Sequence, residues 1–143
     1  MQIDFYSNHP DLYLCDEDLI RRWISVVVDN HSSKVGKITY RFCDDEEVYN
    51  TNVTFLSHDT YTDIITFDYS VGNTISGDII ISVDRVRDNA INFGVSFDEE
   101  LHRVIIHGIL HLLGFKDKKP EDATVMRSKE KESLDILTML QNC

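Results

Sequence analysis

Apolar and polar residues alternate over positions 3–6 (IDFY), which predicts a short strand. Behind Asp16, a candidate N-cap, the apolar residues Leu19, Ile20, Trp23, Val26 and Val27 recur at helical spacing. The same order then repeats. Positions 37–42 (KITYRF) alternate as a half-buried strand, and Asp44, Asp45, Glu46 and Glu47 form the acidic first turn of a helix ending near position 55. After a polar turn at 57–60 come two β-rich runs, 64–69 and 75–82, with Val71-Gly72-Asn73 as the hairpin signal between them. The remainder is helical over about 83–93, 98–113 and 121–140, and Gly94 and Gly114 stand where the first two helices should stop. The last helix carries Val125, Met126, Leu134, Leu137 and Leu140 as an apolar stripe for docking. The pattern predicts an α+β fold, one small domain over 1–143, with a mixed sheet of about four strands covered by helices.

Composition narrows the class. At 143 residues, with 42% hydrophobic and 27% charged residues, 6 Gly and 2 Pro, the chain reads as an ordinary globular protein rather than a disordered or collagen-like one. No apolar run approaches the roughly 18 to 20 residues needed to span a bilayer. The first ten residues lack a basic segment followed by an apolar one, so a cytoplasmic location with no membrane partner is expected. Cys15, Cys43 and Cys143 are odd in number and lack C-x-x-C spacing, and are expected to be free thiols. The net charge of -11, from 25 acids against 14 Lys plus Arg, repels polyanions at long range, so any nucleic-acid role requires a local basic patch. Lys116, Lys118, Lys119, Arg127, Lys129 and Lys131 supply one candidate near the C-terminus.

His107 and His111 lie four residues apart, on one face of a helix and within reach of a single ion. Val104, Ile105, Ile106, Ile109 and Leu110 mark that helix as largely buried, where imidazoles need partners. Gly114 lets the chain turn back, and Asp117 follows as a candidate third ligand, giving H-x3-H-x5-D at the end of the helix. Three protein ligands with an open position is the arrangement of a catalytic zinc. The residue after His107 is Gly108, whereas H-E-x-x-H zinc proteases place their water-activating glutamate there, so peptidase chemistry is disfavoured. Phosphodiester hydrolysis stays available, since the metal acidifies water and polarises a phosphoryl oxygen.

The run from His107 through Gly108, Leu110, His111 and Leu112 to Gly114 resembles the H-G-x-L-H-L-x-G signature of the YbeY family, the bacterial metal-dependent endoribonucleases of ribosomal RNA maturation. Asp59 through Thr62, Asp63 and Phe67 resembles the family's D-x-P-T-D-V-L-S-F segment, and Gly77-Asp78-Ile79-Ile80-Ile81-Ser82 its G-D-I-x-I-S strand. Positions 121–137 resemble the closing helix with an internal Met, so the likeness covers roughly positions 36 to 140. It implies a single-strand endoribonuclease acting on precursor ribosomal RNA, with one zinc or another divalent transition metal on His107, His111 and Asp117. It also implies the small ribosomal subunit or a ribosomal protein as partner. Two positions depart from the family pattern. Where the family usually ends its motif in Asp-His, this chain has Lys116-Asp117, so a carboxylate replaces the third histidine. Where the family commonly has an arginine three residues before Asp59, this chain has Leu56. Lys116 and Lys118 are the cations expected to contact phosphate instead.

The remaining candidates have plainer roles. Asp78 either orients a ligand histidine or is an edge-strand carboxylate; Thr62 and Thr66 either line the cleft or are simply β-formers. His58 is expected in an exposed turn, His102 on a different helix face from His107, and His9 and His31 at the surface. Two rival functions share the motif. One is a ribosome-assembly factor using the metal structurally, the other a metallohydrolase of a non-RNA substrate.

Overall fold

The computed structural model describes every residue except positions 11, 13, 15, 59 and 143, so Cys15, Asp59 and Cys143 lie outside the described residues. The elements run β1 (Gln2–Ser7), α1 (Glu17–Asn30), β2 (Lys34–Cys43), α2 (Asp45–Leu56), β3 (Ile64–Asp68), β4 (Thr74–Ser82), α3 (Val83–Phe93), α4 (Phe97–Leu112) and α5 (Pro120–Gln141). The expected α+β class holds. The sheet is mixed, in the order β1-β2-β4-β3, with β1, β2 and β4 parallel and β3 antiparallel to β4.

Register puts Tyr40 opposite Ile79 and Phe42 opposite Ile81, so one face of the sheet presents a continuous apolar surface. Against it pack Trp23, Ile24, Val27 and Val28 of α1 and Val104, Ile105 and Ile109 of α4. A smaller cluster of Cys43, Val48 and Ile65 lies apart from this core, with Ile80 against it. Two buried donors lock the helical layer in place: Tyr40 Oη donates to the Ile105 carbonyl at 2.8 Å, and Trp23 Nε1 to the Ser133 carbonyl at 2.7 Å. Each satisfies a polar group that burial would otherwise penalise.

α4 is the element that carries the paired histidines, and its sequence explains its placement. Ser96 caps it, its Oγ accepting from Glu99 N at 3.1 Å, with acidic residues filling the first turn. Gly108 faces the sheet so closely that a Cβ there would lie 2.9 Å from Ile79 Cδ1 and 3.0 Å from Ile79 Cγ2. At the far end Gly114 takes φ 103°, Gly114 N bonds the His111 carbonyl at 3.0 Å, and Phe115 N bonds the Leu110 carbonyl at 3.0 Å. This is a Schellman stop, and it turns the chain back over the helix end.

Several expectations need correction. β2 starts at Lys34 rather than 37, because a register shift between Val35 and Ile38 interrupts the alternation. On α5 the buried face is Met126, Glu130, Ser133 and Leu137, while Val125 is exposed. β4 lies inside the sheet, so Asp78 is not on an edge strand; its Oδ2 accepts from Tyr69 Oη at 3.4 Å, and no bond joins it to a ligand histidine among the described residues. His9 is buried rather than at the surface, its Nε2 paired with Asp84 Oδ1 at 2.8 Å. Cys43 is a buried free thiol, pushed up to about 12 by burial and then by Glu47. Among the described residues no helix is long and apolar enough to cross a membrane.

Candidate metal centre

The helical spacing on α4 brings the His107 and His111 rings to 4.5 Å between centroids, with their planes at 86°. The turn after Gly114 delivers Asp117 to the same place: Asp117 Oδ2 lies 3.2 Å from His107 Nε2 and 3.4 Å from His111 Nε2. One ligand atom from each of the three residues falls within 4.8 Å of the others.

The opposite nitrogen of each ring decides what these atoms are. His107 Nδ1 lies 2.6 Å from Glu130 Oε2, and His111 Nδ1 lies 3.0 Å from the Phe115 carbonyl. A carbonyl oxygen only accepts, so the His111 Nδ1 must donate. Burial foremost holds the His111 pKa below its ordinary value, which favours the neutral ring with the lone pair on Nε2. The Glu130 carboxylate at His107 Nδ1 accepts in the same way and assigns that ring the same tautomer. Two imidazole lone pairs and a carboxylate oxygen therefore converge, and three acceptors aimed at one point fit a cation. The donor set suits a divalent transition metal: two nitrogens and one oxygen, each histidine oriented through its other nitrogen.

Around this centre lies a partly buried charge network. Arg103 donates from Nε and Nη2 to the two oxygens of Glu100 at 2.8 and 2.7 Å, and from Nη1 to Glu130 Oε2 at 3.2 Å. Its Nη2 is also 3.8 Å from Asp63 Oδ2. These partners, the Glu100 bonds foremost, raise the Arg103 pKa above its ordinary value. Glu100, Glu130, Asp63 and Asp117 are four carboxylates against Arg103 and the cavity-lining Arg127 and Lys118, which leaves the neighbourhood net negative and favourable to a cation. Neither glutamate stands out in the sequence, since each is one acidic residue among charged neighbours. The available signal was position: Glu130 lies four residues after buried Met126 and seven before buried Leu137, on the docking face of α5.

Two cavities flank the centre. One, of about 260 Å³, opens toward α5 and is bounded by His107, Asp117, Arg103, Glu130, Met126 and Arg127. The other, of about 430 Å³, opens toward β3 and is bounded by His107, His111, Asp117, Thr62, Thr66 and Lys118. Lys116 is exposed and borders neither, and Leu56 sits at the end of α2, 37% exposed. His102 lies against Trp23 at 6.1 Å between centroids, away from the metal group, with its pKa lowered by burial. His58 is exposed, and His31 Nδ1 bonds the Val27 carbonyl at 2.8 Å.

The profile of the family described as Endoribonuclease YbeY matches residues 5–138. The chain belongs to the endoribonuclease YbeY family. A relative from Flavobacterium johnsoniae named Endoribonuclease YbeY is 52% identical over 136 residues, 95% of this chain and 98% of its own. Another of that name, from Parabacteroides distasonis, is 47% identical over 137 residues, 96% of each chain. A solution structure of a Thermotoga maritima protein superposes with a TM-score of 0.66 at 24% identity, covering 94% of this chain and 88% of its own, and so shares the fold. In this YbeY chain the family-like H-G-x-L-H-L-x-G run is the last two turns of α4 and its Schellman stop, and the G-D-I-x-I-S run is the C-terminal part of β4.

Proposed function

We propose that the chain is a metal-dependent, single-strand endoribonuclease of precursor ribosomal RNA, its whole length acting as one hydrolase domain. His107, His111 and Asp117 hold one divalent ion, and zinc is the choice their nitrogen-rich donor set favours. The observation that carries this reading is the convergence of two imidazole lone pairs and the Asp117 carboxylate between two open cavities, in a chain of the YbeY family. When bound, such an ion supplies Lewis acidity toward a phosphoryl oxygen and lowers the pKa of water. The chain's own residues do the rest. Glu130 holds His107 in its ligand tautomer, the Phe115 carbonyl does so for His111, and Arg103 holds Glu130 in place. No carboxylate follows His107, because Gly108 occupies that position to let α4 meet the sheet. Lys116 and Lys118 flank Asp117 in sequence as phosphate contacts, and Lys118 also borders the β3-side cavity. The substrate places the protein in the cytoplasm, with the small ribosomal subunit or one of its proteins as partner.

Metal content and RNA cleavage test this together. Purified wild type should retain about one transition metal per chain after removal of loosely bound ions, and Asp117→Ala much less. Metal-loaded wild type should cut a single-stranded RNA that His107→Ala, folded but metal-poor, leaves intact. A metal-replete wild type with no cleavage above the His107→Ala background would sink the nuclease reading and leave a structural metal in an assembly factor.

A further inference from the structure

The α5-side cavity contains two guanidinium groups, and they are in opposite conditions. Arg103 is spent: three of its nitrogens bond Glu100 and Glu130, and Asp63 is within 3.8 Å. Arg127 is exposed, borders the same cavity as His107 and Asp117, and forms no ion pair among the described residues. Arg22 and Arg41 also form no ion pair among the described residues, but neither borders this cavity or the β3-side one, so position is what sets Arg127 apart. Its position on α5 explains the reach. Ala123 is one turn earlier on the same face and also lines the cavity, and a helical side chain leans toward the preceding turn, so Arg127 passes over a residue too small to block it.

We propose that Arg127 binds a backbone phosphate of the RNA next to the scissile one, on the α5 side of the metal centre. The proposal rests on the nuclease reading above. The two cavities share Asp63, Ile64, His107 and Asp117, so they meet at the centre, with Arg127 lining only the α5-side cavity and Lys118 only the β3-side one. A strand lying there meets Asp63, Asp68, Asp117 and Glu130 and needs fixed positive charge on both sides of the reacting phosphate. A guanidinium meets this need with two parallel N–H donors matched to phosphate oxygens.

The test is binding of a short single-stranded phosphorothioate oligouridylate to the metal-loaded full chain over a range of salt concentrations, with metal content measured alongside. Arg127→Ala should bind about tenfold more weakly. Its log-affinity against log-salt slope should be shallower than wild type by about 0.7, the value of one single-strand phosphate contact. Arg127→Lys should restore the slope but only part of the affinity, and all variants should hold wild-type metal. Arg22→Ala, which removes an exposed arginine of α1 bordering neither cavity, serves as the control for net charge. An unchanged slope for Arg127→Ala, or an equal loss from Arg22→Ala, overturns the Arg127 assignment while leaving the nuclease reading standing. A wild type that fails to bind the probe at low salt overturns both.

Discussion

The Glu130 carboxylate, on a side chain 7% exposed, accepts from His107 Nδ1 at 2.6 Å and from Arg103 Nη1 at 3.2 Å, both through Oε2. Burying a carboxylate is costly unless its lone pairs are satisfied by charge-assisted donors, and Arg103 provides one while being clamped itself by Glu100. The consequence reaches the metal centre through a single hydrogen bond: a carboxylate partner on Nδ1 keeps the Nε2 lone pair free and makes it a stronger base. Glu130→Gln preserves shape and can still accept from Nδ1, but it removes the charge. Metal affinity should fall about 10- to 100-fold, read by competition with a chelating dye. An unchanged affinity would mean that packing, not the carboxylate, orients the ring.

At the scale of elements, α4 positions the centre because it can approach β4 at Gly108 and reverse at Gly114. Adding a methyl at Gly108 drives a carbon to within 2.9 Å of the buried Ile79 side chain, which has no solvent to move into. Gly108→Ala should therefore cost about 1 to 3 kcal/mol in chemical denaturation of the metal-free protein, from overpacking alone. A loss of only a few tenths would show that Ile79 re-packs freely. The same helix shows what sequence makes legible. The spacing His107, His111, Gly114, Asp117 is local, so helix geometry and one turn suffice to bring three ligand atoms together. Glu100 and Arg103 come from α4, Asp63 from the residue before β3 and Glu130 from α5, so Glu130 joins the group only as α5 docks. Hydropathy placed Val125 on that docking face, whereas the buried stripe runs through Glu130 and Ser133, polar residues whose burial depends on Arg103, His107 and Trp23 as partners. The early residues of β2 were hidden for another reason: the register shift after Val35 breaks the period-2 pattern by which a strand is recognised.

Across the whole molecule, charge is unevenly divided. Net charge is -11, yet six of the fourteen basic residues fall between positions 116 and 131, in the turn after α4 and along α5. The acidic first turn of α2, Asp45, Glu46 and Glu47, contrasts with that edge. Exposed charges farther apart than about 8 to 10 Å are largely screened at physiological salt, so an RNA strand near the metal centre feels the carboxylates around it and the cations of this edge rather than the net charge of the whole chain. Lys116, Lys118 and Lys119 are all exposed and none supplies a metal-ligand atom. Replacing the three with glutamine should leave metal content unchanged while weakening single-stranded RNA binding. If each touches a phosphate, the salt slope should become shallower by about 2, three contacts at roughly 0.7 each. A change near 0.7 would assign contact to one lysine alone, and Lys118, which borders the β3-side cavity, is then the one to restore first. An unchanged slope would mean that none of the three lysines touches a phosphate and that the strand is held by other cations.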